Sequence, residues 1–258
     1  MRGDGEGGKP PVIMVHGAFC GGWAFDLFRQ PFEAAGHMVL TPDLNGRGAD
    51  SRTRASMSDF AGNIAELVRG QPRAPILLGH SLGGLVAQMA AAQAPVRGLI
   101  LLAPSAPWGI AGGSVEEAVT AVSLYALGPS WLQAIEPDYT IARTYSLDRL
   151  DRSERRAVFE RMVPESGRAI WETLNWWLDP FMTTSVSPNR IGAPVLGIVG
   201  SRDLVHPPAT VRRTVRRLGG RLQLFDGMSH WLLSEPGWEV VASDCLSWIR
   251  RHEVVGAV

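Results

Sequence analysis

From Val12 to Ala103 the sequence alternates short, wholly apolar runs with longer segments whose apolar residues recur at helical spacing. Few folds accommodate that alternation. Val12 to His16 (VIMVH), Met38 to Thr41, Ile76 to Gly79 (ILLG) and Gly98 to Ala103 (GLILLA) read as strands, while Trp23 to Ala35, Ser58 to Arg69 and Leu82 to Ala94 read as helices. A run that is apolar at every position leaves no face for solvent, so these strands belong in a parallel sheet covered by helices on both sides. Pro194 to Gly200 (PVLGIVG) and Leu222 to Phe225 supply further strands, and Glu239 to His252 a closing amphipathic helix.

Between Ser105 and Asn189 the rhythm stops. The stretch has no convincing strand, carries helical patterns such as Ser153 to Met162, and holds five of the nine tryptophans: Trp108, Trp131, Trp171, Trp176 and Trp177. An all-helical insertion between two late strands of an α/β sheet reads as a cap over one sheet edge. The expected organisation is a catalytic core of residues 1–104 and 190–258, with residues 105–189 as the cap. No internal repeat suggests a solenoid.

Composition narrows the class. With 45% apolar and 19% charged residues, the chain has the apolar content of a folded globule. Its 25 basic and 25 acidic side chains cancel, which removes the electrostatic footprint of a nucleic-acid binder. No apolar run approaches the ~20 residues of a membrane span, so membrane insertion is not expected. The opening MRGDGEGGKPP lacks the apolar segment of a signal peptide and is expected to fray. Cys20 and Cys245 are too few for a disulfide framework, which points to a reducing cytoplasm.

The chemistry centres on Gly79-His80-Ser81-Leu82-Gly83-Gly84, a G-x-S-x-G pattern. Alone the pattern is common; its placement between an apolar strand and an Ala-rich helix gives it weight. A serine at such a turn is held in a strained conformation, and small neighbours let strand, turn and helix approach closely. A plain serine N-cap is the alternative. Serine is a poor nucleophile until a base takes its proton. His230, in the loop Asp226-Gly227-Met228-Ser229-His230 after an apolar strand, is the best-placed base, at the carboxyl edge of the sheet. Asp203 ends the PVLGIVG strand, and the order Ser, Asp, His suits this type of elbow. The GLILLA strand ends in Pro104 and Ser105, with no carboxylate to compete. His206 reads as a surface-loop histidine, with a place beside the substrate as the alternative.

An acyl-transfer intermediate also needs two fixed donors. The backbone N–H of Leu82 follows the nucleophile, and the loop His16-Gly17-Ala18-Phe19 offers the N–H of Ala18, with Phe19 as fallback if the turn is shifted. His16 reads as a structural residue that fixes this loop, and Cys20 as packing.

His16-Gly17, the GHSLGG elbow, Asp203 and His230, in that order, resemble the α/β-hydrolase fold family over nearly the whole chain apart from the cap. Within that family, HGAFCGGW (16 to 23) with AAGHMVLTPDLNGRGAD (34 to 50) is similar to the branch of plant methylesterases and hydroxynitrile lyases and their bacterial esterase relatives. The resemblance implies Ser81, His230 and Asp203 as a triad, with Ala18 and Leu82 as oxyanion donors. Departures from related chemistries are informative. Dehalogenases and epoxide hydrolases of this fold carry an aspartate where Ser81 stands. The lyases use a lysine near the catalytic histidine and a threonine in the first loop, whereas the sole lysine here is Lys9 and the loop has Gly17 and Ala18.

The expectation is therefore a serine hydrolase that needs no cofactor or metal and cleaves a carboxylic ester, or a related acyl compound, with a hydrophobic group. Phe19, Trp108, Trp131, Trp176, Trp177 and Trp231 are the candidate substrate-binding residues, making an aromatic, apolar pocket under the cap. Acyl transfer or perhydrolysis by the same triad, cleavage of lactones, amides or carbon–carbon bonds, and a non-catalytic small-molecule receptor on the same fold are the other readings. Oligomeric state is left open.

Overall fold

The computed structural model describes residues 8–44, 55–112 and 134–255. Six strands form one sheet: β1 (Val12–Val15), β2 (Val39–Leu40), β3 (Ile76–His80), β4 (Gly98–Leu102), β7 (Val195–Gly200) and β8 (Arg221–Phe225). Every pairing is parallel, in the order β2-β1-β3-β4-β7-β8. All residues of β1, β3, β4 and β7 are buried, as their unbroken apolar runs require.

Alternate residues of each strand serve opposite faces. Val12, Met14, Ile76, Leu78, Ile100 and Leu102 pack on one side with Phe25, Phe28 and Phe32 and with Val241, Cys245 and Ile249. Ile13, Val15, Leu77, Leu99 and Leu101 pack on the other with Phe60, Ile64, Leu85 and Val86. The first face is covered by α1 (Gln30–Ala34) and α8 (Trp238–Val255), the second by α2 (Met57–Arg69) and α3 (Leu82–Ala91). Ser56 and Asp59 close a reciprocal capping box at the start of α2, whose apolar residues then recur at helical spacing.

Trp23 to Ala35 is not one helix. A 3-10 turn over Gly22–Phe25 is separated from α1 by further turns, and Pro31 stands in the first turn of α1, where its missing N–H does no harm.

The cap lies between β4 and β7. Its described part holds the one-turn α4 (Tyr139–Ile141) running into a π-helical turn, then α5 (Arg152–Glu160) and α6 (Gly167–Leu174). It is not wholly helical. β5 (Ala134–Ile135) pairs antiparallel with β6 (Glu165–Ser166), a two-residue ladder too short to leave a periodic signal. Beyond β7, α7 (Pro208–Arg217) leads back to β8 at the sheet's edge.

Candidate active site

The carboxyl ends of β1, β3, β4, β7 and β8 converge on one cavity. At the end of β3, Ser81 has φ 54° and ψ −123°, a conformation that costs a non-glycine residue about 1–3 kcal/mol. Its surroundings hold it there. The Ser81 N–H donates to Leu102 O at 3.0 Å, and Ser81 O accepts from Gly84 N–H at 2.9 Å and Ser105 N–H at 3.0 Å. A Cβ at Gly83 would run into the carbonyls of Val15 and His16, and one at Gly79 into that of Gly83. The elbow therefore forms only because these positions are bare.

His230 Nε2 lies 3.0 Å from Ser81 Oγ, and His230 Nδ1 lies 3.0 Å from Asp203 Oδ2. The other Asp203 oxygen accepts from Val205 N–H at 2.9 Å and His206 N–H at 2.8 Å. All three triad side chains are buried. Burial pushes the Asp203 carboxyl up to about 6, against the lowering influence of the nearby histidine His206 and of the two N–H groups, and it pushes the His230 imidazole down to about 3. At neutral pH the resting site thus pairs a carboxylate with a neutral imidazole. The proton sits on Nδ1, facing Asp203, and Nε2 is free to accept from Ser81.

The histidine loop is braced from several directions. His80 Nε2 lies 2.9 Å from His230 O, which can only accept, so His80 carries its proton there. Ser229 N–H donates to Glu235 at 2.8 Å, and Ser229 Oγ donates to Asp148 of the cap at 2.7 Å. Glu235 is itself buried, which lifts its carboxyl to about 7.

On the facing side, His16 Nε2 accepts from Leu44 N–H at 3.1 Å, so Nδ1 donates to Gly17 O at 2.8 Å and fixes the loop. Phe19 has φ 63°. Its N–H donates to Glu165 Oε2 at 3.1 Å, and its carbonyl accepts from Val163 N–H at 2.8 Å. The cap thereby grips the loop, and the Phe19 N–H is already committed. Ala18 and Leu82 both line the cavity.

That cavity measures about 390 Å³ and is walled mainly by apolar groups. Phe19, Trp176, Trp177 and Trp231 line it together with Ile110, Ile141, Met162, Ile170 and Leu174. Trp108 is not on this wall; it packs edge-on against Trp176, with ring centroids 5.6 Å apart. Trp131 lies outside the described residues. His206 departs from its reading as a surface histidine: it lines the cavity, 3.0 Å from Ser105 Oγ, with its ring 5.3 Å from that of His230. Asp148, Glu165 and Glu235 gave no sequence signal, because their partners are distant in the chain or merely generic backbone N–H groups. Among the described residues, no group of side chains is arranged to hold a metal ion, and no helix is long and apolar enough to cross a membrane.

A serine strained into an elbow, with a neutral histidine and a buried carboxylate aligned behind it, defines a serine hydrolase with a Ser-His-Asp triad. The chain belongs to the alpha/beta hydrolase family, whose model matches residues 12–243. It is 30% identical over 218 residues to the pimeloyl-[acyl-carrier protein] methyl ester esterase of Xanthomonas oryzae pv. oryzae, covering 81% of this chain and 83% of that one. Methylesterase 3 of Arabidopsis thaliana is 34% identical over 95 residues, 34% of this chain and 36% of the relative, so that match spans about a third of each. Among solved structures, the monoacylglycerol lipase of Paleococcus ferrophilus shares the fold with a TM-score of 0.70 at 24% identity, over 95% of this chain and 96% of that one.

Proposed function

We propose that this protein hydrolyses a small carboxylic ester with a hydrophobic group through an acyl-enzyme, with 1–104 and 190–258 as catalytic core and 105–189 as cap. The observation that carries the reading is the 3.0 Å contact from His230 Nε2 to Ser81 Oγ at the floor of an apolar cavity. In the first step Ser81 Oγ attacks the carbonyl carbon while His230 Nε2 takes its proton, and Asp203 stabilises the resulting imidazolium. The carbonyl electrons move onto oxygen, which the N–H groups of Ala18 and Leu82 receive. Phe19 N–H is spoken for by Glu165, which favours Ala18 over its neighbour. Collapse of the intermediate expels the alkoxide, protonated by His230. A water deprotonated by the same imidazole then attacks the acyl-enzyme, and Ser81 leaves with its proton restored.

Phe19, Trp176, Trp177 and Trp231 would contact the hydrophobic group, and Trp108 would support Trp176 from behind. The related methylesterase and methyl ester esterase favour an ester over the other acyl compounds. Cys20 and Cys245 are both buried and form no disulfide with each other, which supports a place in a reducing cytoplasm. A panel of p-nitrophenyl esters of graded acyl length tests the activity, and a fluorophosphonate probe read by mass spectrometry tests the nucleophile. Turnover with labelling of Ser81, both lost in Ser81→Ala, is the expected result; labelling of another residue, or turnover retained in that variant, overturns it.

A further inference from the structure

We propose that Ser105 and His206 form a polar subsite beside the triad that selects substrates bearing a hydroxyl or oxo group on the α or β carbon of the acyl chain. The proposal rests on the ester-hydrolase reading and narrows its substrate class. Both residues line the cavity in a wall otherwise dominated by apolar groups, and Ser105 Oγ lies 3.0 Å from His206 Nε2. Their backbones do separate work: Ser105 N–H holds the Ser81 carbonyl, its own carbonyl accepts from Gln88 at 3.2 Å, and His206 N–H holds Asp203. The hydrogen bonds of the elbow and of the triad are therefore made without either side chain.

The subsite is close to the chemistry, since the His206 ring stands 5.3 Å from that of the base. It is also held in place, because Ser105 is buried and hydrogen-bonded through both backbone groups. A serine hydroxyl offers one donor and two acceptor positions, of which the His206 contact uses one. A purely apolar acyl chain entering the cavity strips water from what remains and returns nothing, whereas a substrate hydroxyl or carbonyl replaces that water. Burial keeps His206 uncharged, its imidazole pushed down to about 3, so the partner is a neutral polar group rather than a carboxylate.

The test compares kcat/KM for p-nitrophenyl butanoate with its 2-hydroxy, 3-hydroxy and 3-oxo counterparts in the wild type, in Ser105→Ala and in His206→Phe. The wild type should favour at least one substituted ester by about tenfold or more, and both variants should bring that ratio toward one. A side chain that merely held the loop would slow every ester alike and leave the ratio intact, and that outcome overturns the proposal, as does a wild type with no preference. Fluorophosphonate labelling of Ser81 verifies that each variant is assembled; if one is not, Ser105→Gly and His206→Asn take its place. Failure of the wild type to turn over any ester would instead strike at the hydrolase reading itself.

Discussion

Burial sets the charge states of Asp203 and His230 before a substrate arrives, and this hydrogen-bonded pair governs the pH response. Burial pushes the His230 imidazole down to about 3 and the Asp203 carboxyl up to about 6, so above about 6 the pair rests as neutral imidazole and carboxylate. As pH falls through about 6 the carboxylate gains a proton and can no longer stabilise the imidazolium, so kcat/KM should be level above that value and fall about tenfold per unit below it. A stopped-flow or plate-based pH profile on one ester checks this; an acid limb centred well away from about 6 would contradict it. Asp203→Asn should cut kcat by roughly 10³–10⁴-fold, because the amide turns an N–H toward Nδ1 and inverts the tautomer. The same variant should not lower the melting temperature at pH 8. A carboxyl whose folded pKa is raised adds stability at low pH and loses it as pH rises through about 6, so at pH 8 the buried charge is a burden that Asn removes. The triad was legible in the sequence because each member follows an apolar strand. Ser105 and His206 were not recognised as a pair, since nothing local marks a contact between residues 101 positions apart.

At the scale of elements, the tightest constraint is where α3 leaves β3. Gly83→Ala would drive a methyl group into the carbonyls of Val15 and His16, so it should lower stability by roughly 1–3 kcal/mol and reduce Ser81 labelling, measured by urea unfolding and by mass spectrometry. The cap contributes through β6, where the Glu165 carboxylate receives Phe19 N–H and Ser166 N–H at 3.1 and 2.9 Å. Glu165→Ala should loosen the loop bearing Ala18 and cost roughly tenfold in kcat with a smaller change in KM, which steady-state kinetics on a saturating ester separates. Strand and helix periods gave the parallel core reliably, because burial on both faces writes itself into every residue of β1, β3, β4 and β7. They overran at α1, where Pro31 was a visible signal for a new helix start. They also missed β5 and β6, each only two residues long and paired across 32 positions from Ala134 to Ser166.

Across the whole molecule, the active site is assembled from three distant points: Ser81 after β3 at the centre of the sheet, Asp203 after β7 and His230 after β8. β8 is the sheet's edge. None of its residues is fully buried, Leu224 is 45% exposed, and one face is anchored through the small cluster of Val199, Val211, Val215 and Leu222. Its amides should exchange hydrogen faster than those of β3 and β4, and residue-resolved exchange followed by mass spectrometry or NMR checks that order. The arrangement also bears on biosynthesis. A chain emerging from the ribosome carries Ser81 149 positions before it carries the base, so the serine has nothing to take its proton until His230 has been added. Hydrolytic competence needs β8 docked with His230 behind it, so the appearance of a probe-reactive serine reports that docking directly.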